Sequence, residues 1–292
     1  MMDVIRSHSA RVRAADPLAG DQDELPDWPE RTIRAHGGVG VVTVDQIDPG
    51  SVRASWSPLI VHRLQARVSG PDPEAALGAL VDRWLAGLRG TGPGHSLTVS
   101  WPSRDTAPVR ALATRGFGPI SVTAVRPLRQ RSAPVPGVRP ATAGDLDALV
   151  KLYEGLVAYD AQFGWVAVRP STPARLRELV AGEVLPLEWC WVAEAGGRVA
   201  GCLIMQPPER SGWIARSLNA GPAAYLSVMY VDPSVRGRGM GTALTETAHG
   251  HAAASGAAWS VLHHALPNPL STPFWARRGY RPLLTQWVRH LQ

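Results

Sequence analysis

Apolar and polar positions along the chain fall into two series of short segments that repeat in the same order. In the first series an apolar strand at 59–68 is followed by a helix at 74–88, a strand at 96–101, a short helix at 108–114 and a strand at 120–125. In the second series the matching segments lie at 225–231, 241–254, 259–265, 272–277 and 283–290. Short apolar runs bounded by Gly, Pro and Asp read as strands, and longer Ala- and Leu-rich stretches as helices. The match extends to individual residues. Arg115-Gly116-Phe117-Gly118-Pro119-Ile120 is echoed 163 residues later by Arg278-Gly279-Tyr280-Arg281-Pro282-Leu283. The same offset carries Val68 onto Val231, Val125 onto Val288 and Arg126 onto Arg289. Two related α/β units in tandem account for this spacing, joined at the Pro- and Ala-rich segment 132–137.

The two units differ at one turn. In the second, the strand ending at Val231-Asp232-Pro233 is followed by Arg236-Gly237-Arg238-Gly239-Met240-Gly241-Thr242 and then by the helix. A glycine-rich turn at a helix start aims successive backbone N–H groups outward, and the helix end adds partial positive charge. The two arginines add full charges, so this turn reads as a site for a phosphate-bearing cofactor. It fits neither the dinucleotide fingerprint nor the P-loop. In the first unit the same place holds Val68-Ser69-Gly70-Pro71-Asp72-Pro73-Glu74. Two prolines there remove donors and two acids oppose an anion, so that unit reads as a degenerate scaffold.

Arg236, Gly239 and Gly241 fill the pattern Q/R-x-x-G-x-G/A, preceded by a V-x-P. Asn268, Ser271, Trp275, Gly279 and Tyr280 fall at the spacing N-x-x-A-x-x-x-Y-x-x-x-G-F/Y. Val138-Arg139-Pro140-Ala141-Thr142 and the segment from Asp145 to Val150 look like a first strand and first helix. Over residues 138–292 the chain therefore resembles the GNAT acetyltransferase superfamily. The resemblance implies an α/β (α+β) fold of two tandem GNAT-like domains, each a mixed, mostly antiparallel sheet flanked by helices. These would be 1–131, degenerate, and 138–292, binding acetyl-CoA, with 132–137 as linker. It also implies that Arg236, Gly237, Arg238, Gly239, Met240, Gly241 and Thr242 hold the pyrophosphate. Met229, Tyr230 and Val231 would offer main-chain contacts on a strand that splays from its neighbour. Asn268 would touch the pantetheine arm, and Phe274 and Arg278 would flank the cofactor, with Trp275 beside them.

The acid–base residues depart from the family. Tyr225 stands where many members place a glutamate base, and Trp275 replaces the tyrosine that reprotonates the thiolate. His263 and His264 lie near the end of the next strand and are candidate bases, with Tyr225 as a possible relay. Successive strand residues point to opposite faces, so at most one histidine faces the acetyl group. Structural histidines, a packed Tyr225 and no dedicated base at all remain open. The resemblance also implies that the acceptor binds at residues 152–179, with Tyr153, Glu154, Tyr159, Asp160, Phe163 and Trp165, a cleft that Trp213 could line as well; these suit a cationic amine or an ordinary core. Trp189 and Trp191 read as sheet core. The expected activity is N-acetyl transfer from acetyl-CoA to a primary amine of a small molecule. The alternatives are a protein or peptide amine as acceptor, or a non-catalytic acyl-CoA sensor.

Composition narrows this further. Length suggests two domains, and 45% hydrophobic residues suffice for two cores. The charge of +6 is carried by scattered arginines, with Lys151 the only lysine, and no basic stripe suggests nucleic acid. No apolar run is long enough for a membrane span, and the N-terminus lacks the apolar core of a signal peptide. A cytoplasmic monomer or homodimer without metal is expected. Cys190 and Cys202 read as buried thiols. The first two dozen residues, being polar, read as loose.

Overall fold

In the computed structural model, residues 2–20, 22–129 and 136–291 are described. The predicted linker 132–137 lies outside them up to residue 135. The first half runs α1 (Met2–Ala15), β1 (Thr32–Ala35), β2 (Gly38–Gln46), β3 (Ile60–Val68), α2 (Pro73–Gly87), β4 (His95–Pro102), α3 (Arg110–Ala113) and β5 (Gly118–Pro127). The second runs β6 (Val138–Pro140), α4 (Leu146–Asp160), α5 (Thr172–Leu179), α6 (Leu185–Leu187), β7 (Trp189–Ala195) and β8 (Arg198–Gln206). It continues through α7 (Gly212–Ala215), β9 (Ala223–Val231), α8 (Met240–Ala254), β10 (Trp259–Ala265), α9 (Ser271–Arg277) and β11 (Arg281–His290). Every segment of the predicted repeat is present within a few residues of its expected bounds.

The strands form one mixed sheet in the order β1-β2-β3-β4-β11-β5-β10-β9-β8-β7-β6. Each half's last strand crosses to the other half. β5 pairs with β10, β11 pairs with β4, and the two lie antiparallel to each other at the centre. The two expected sheets are thereby fused into one. The exchange also covers β4 and β10, which would otherwise present unpaired edges. The repeated R-G-aromatic turn has a local reason in both halves. Gly116 and Gly279 take φ of +78° and +76° after their short helices, a conformation glycine adopts without a Cβ clash. The aromatic that follows packs into its own half's core, Phe117 against Trp84 and Tyr280 against Trp275.

One expectation fails. The N-terminal segment is not loose, because Met2–Ala15 is a helix that buries Ile5, His8 and Val12 at helical spacing. Arg11 anchors it, donating to both carboxylate oxygens of Asp105 and to the Val68 carbonyl. Asp16, fully buried, pairs with Arg281 at 2.6 Å. The buried face includes a histidine and a serine, which hides the stripe from a reading by hydrophobicity. Asp72 caps α2 by accepting from the Ala75 N–H, so its own carboxylate occupies the helix start.

Two buried histidines make the fold acid-sensitive. Burial lowers the pKa of His8 to about 4, despite its bond to Gln22. Burial, with Arg126 and Arg278 nearby, lowers that of His249 to about 3. Both folded values lie below the ordinary histidine value, so below about pH 6.5 the unfolded chain binds protons that the folded chain refuses. This contribution is fully present above that pH and is lost on acidification, by about 2 kcal/mol per histidine at pH 5. Denaturant unfolding at pH 7 and pH 5 should show the loss, and His249→Gln should narrow the difference between the two.

Candidate functional site

β9 and β10 begin as neighbours and then part. Their parallel pairing runs only from Ala223↔Trp259 to Leu226↔Leu262. Beyond it β10 stays with β5 as far as Ala265↔Ser121, while β9 follows β8. Ser227 is the extra residue of a bulge at the point of parting, since Met205 pairs with Leu226 and Ile204 with Val228. A cavity of about 1270 Å³ fills the resulting gap and the space on either side of it. The Val231 carbonyl, which accepts from Arg236 Nε at 2.9 Å, lies outside the β8 ladder. By the alternation of an antiparallel ladder, the main-chain groups of Met229 also face the gap, and those of Tyr230 pair with β8. Tyr230 instead presents its ring, packed so closely on α4 that a Cβ at Gly155 would lie 2.9 Å from it.

At one end of the cavity lies the glycine turn. Gly237 and Gly239 have φ of +79° and +82°, and Gly239 caps α8. None of the backbone N–H groups from Gly237 to Thr242 has an acceptor among the described residues. Six consecutive free donors at a helix start make an anion cradle. Gly241 also admits the Phe274 ring, which would lie 3.3 Å from a Cβ there. Arg278 stacks on Phe274 at 3.9 Å and donates to Thr242 Oγ1, while its buried Nε has no partner. Arg236 is held between the rings of Tyr159 and Tyr230 at 5.4 and 5.2 Å. Arg238 is exposed. Asn268 is buried and occupied, accepting from the N–H groups of Leu270 and Ser271 and donating to Asp160. Burial raises the Asp160 pKa to about 6, against the pull of Asn268. Trp275, 5% exposed, is mainly a core residue between Phe274 and Tyr280.

The candidate acid–base residues divide as strand alternation requires. His263 lies on the α4 face, where Nδ1 meets the Tyr225 hydroxyl at 3.1 Å and Nε2 the Thr123 hydroxyl at 2.9 Å. Trp213 stacks on His263 and meets Tyr225 edge-on. His264 turns to the other face, toward Thr272 and the Ala265 carbonyl. His263 is open to the cavity but walled by protein, and that desolvation, with His264 adjacent, lowers its pKa to about 4. Burial also lowers the pKa of His264 and pushes the Tyr225 hydroxyl above its ordinary value. At neutral pH the cluster is therefore an uncharged imidazole between two hydroxyls.

Beyond His263 the cavity continues over residues that the sequence alone did not mark. Ser121 comes from β5 of the first half, as does Thr123, which holds His263, and Ser121 donates to Gln286 on β11 at 2.8 Å. Gln286 in turn donates to Thr98 on β4. Arg63 on β3 and the segment with Arg53 and Trp56 complete the wall. That segment, which contains the 3-10 turn Val52–Ser55, is tied to the second half. Ser55 and Thr172 share a buried hydrogen bond of 2.8 Å, Ala167 N–H donates to Ser55, and Arg169 donates to the Ala54 carbonyl. Only the strand exchange brings these residues to the site, and no local motif announces it. Of the residues expected to bind the acceptor, Tyr153, Tyr159, Asp160, Phe163, Trp165 and Trp213 line the cavity. Glu154 does not, and Trp189 and Trp191 pack on His251. Cys190 and Cys202 are free buried thiols. The described residues contain no cluster able to hold a metal, and no helix among them is long and apolar enough to cross a membrane.

Residues 160–280 match the model of the Acetyltransferase (GNAT) family. Among solved structures, a GCN5-related N-acetyltransferase from Sphaerobacter thermophilus is similar at a TM-score of 0.53 and 14% identity, over 87% of this chain and 76% of that one. Another from Kribbella flavida is 14% identical over 99% and 95% of the two chains, with a TM-score of 0.45. A third from Ralstonia eutropha is 27% identical over 50% and 92%, with a TM-score of 0.35. No curated protein matches the chain. The first of these structures shares the fold.

The contact between the halves above the cavity is testable. Thr172→Val removes the buried hydroxyl that meets Ser55 and accepts from the Arg169 N–H. It should cost about 1–3 kcal/mol, read by denaturant unfolding.

Proposed function

From a GNAT-family acetyltransferase domain at residues 160–280, we propose that the protein is an acetyl-CoA-dependent N-acetyltransferase acting on a primary amine of a small molecule. The observation that carries this reading is the pairing of six free N–H donors at Gly237–Thr242 with the gap between β9 and β10. The residues fit the cofactor. The glycine turn and the start of α8 would hold the pyrophosphate, Phe274 and Arg278 the nucleotide side, and Met229 and Val231 the pantetheine. When bound, acetyl-CoA supplies an acetyl group activated as a thioester.

The chain's own residues supply position and protons. Met229 N–H, aimed into the gap, is placed to polarise a carbonyl oxygen there. An amine entering from the α4 face meets His263, whose neutral imidazole accepts a proton. Thr123 and Tyr225 fix the ring and offer hydroxyls through which that proton can pass. Tyr225, held protonated by burial, is a donor at any pH near neutrality. With a pKa of about 4, His263 stays neutral down to about pH 5. Loss of activity on mild acidification then comes from protonation of the amine itself.

Gly239→Val places a β-branched residue at φ of +82° and should raise the Kd for acetyl-CoA at least tenfold, read by calorimetry. An unchanged Kd would sink the cofactor assignment. A screen of primary amines that follows free CoA thiol tests the reaction, and tight acetyl-CoA binding with no turnover would favour a sensor. With an accepted amine, His263→Ala should lower kcat about a hundredfold.

A further inference from the structure

The cavity does not end at His263. Its floor crosses the central strands through Ser121 and Gln286 and reaches β3 of the first half at Arg63. There Arg63 and Arg53 donate to the same oxygen of one carboxylate, Asp45 Oδ2, each at 2.9 Å. Their remaining N–H groups have no acceptor among the described residues. Burial opposes ionisation of Asp45, but the bonds and charges of Arg63 and Arg53 hold its pKa below the ordinary value. The group is thus two cations on one anion, with free guanidinium donors at the rim of the cavity.

The wider charge balance points the same way. Asp160 is the one carboxylate among the cavity's lining residues, and Asn268 already engages it at the cofactor end. Tyr159 and Tyr230, which could have received a cation, are stacked on Arg236. A polycationic acceptor would meet net positive charge at Arg53 and Arg63, whereas an anionic group would find free donors there, at the end of the cavity away from the cofactor turn.

Given acetyl transfer as the reaction, we infer that the acceptor is an elongated amine with an anionic group, a carboxylate or a phosphate ester, that docks on Arg53 and Arg63. The length follows from the sheet. β10 and β3 stand four strand spacings apart, roughly 19 Å between backbones. Side chains leaning in from both ends leave on the order of 10 Å, the span of about three extended residues. The first half of the chain, which lacks its own cofactor turn, thus selects the acceptor.

The test measures binding to the CoA-loaded protein, so it does not depend on turnover. Triglycine and triglycinamide share an amine and a length, and differ in the terminal carboxylate. Aminohexyl phosphate and aminohexanol form the matching phosphate pair. At least one anionic probe should bind tenfold or more tightly than its neutral partner, and the pair that responds identifies the anion. Arg63→Gln should erase that preference. Asp45→Asn, which removes the competing carboxylate, should increase it, an outcome that misfolding cannot imitate. Equal binding within both pairs, no binding by any probe, or failure of Asp45→Asn to raise the preference would overturn the inference. Loss of CoA binding by the parent protein would instead strike at the acetyl-transfer reading.

Discussion

The antiparallel ladder of β5 on β10, from Pro127↔Trp259 to Ser121↔Ala265, is the one of the three ladders joining the two halves on which the site depends. Because β10 keeps β5 along its whole length, it does not need β9 beyond Leu262. The gap between β9 and β10 therefore leaves β10 fully paired on one side, and its end is stiff where His263 projects. The same ladder places Thr123 against His263, and the pairing of β5 with β11 sets Ser121 beside Gln286. The floor of the site is a product of the strand exchange.

The repeat has split one arrangement into two uses. Both parallel strand pairs part after four residues, β3 from β4 and β9 from β10. In each, the carbonyl at the end of the parting strand accepts from a guanidinium, Val68 from Arg11 and Val231 from Arg236. In the first half that guanidinium belongs to α1, and Asp72 takes the helix start. In the second it belongs to the glycine turn, whose donors stay free. Groups left without partners have a cost, which exposed glycines and solvent at the turn keep small. Arg278 Nε, buried and unpartnered, has no such relief.

Most of the second half was legible in the sequence, because its signals are local. Gly237 and Gly239 stand at positive φ, Gly241 sits where Phe274 presses on the helix, and alternation separated His263 from His264. The strands were legible from their apolar runs. The helix Met2–Ala15 was not, since its buried face carries His8 and Ser9, whose polar atoms find their partners, Gln22, Asp23, Arg11 and the Val68 N–H, in the folded chain. Nor were Arg53, Arg63 and Ser121, which reach the cavity through pairings between residues more than a hundred positions apart. Asn268 and the tyrosines were seen as site residues, but their hydrogen bonds and stacking partners come from other elements.

The exchanged strands also bear on how such a chain is made. β5 leaves the ribosome more than a hundred residues before β10 or β11, and neither of its eventual neighbours exists when it is complete. The first half must therefore wait as a sheet open at β4, where an unpaired edge invites the wrong strand. Closure of the centre depends on contacts of very long sequence separation, which form slowly. The helix Met2–Ala15 precedes every strand of the sheet, yet Asp16 just after it pairs with Arg281 at the start of β11, so its anchoring is complete only when β11 is in place.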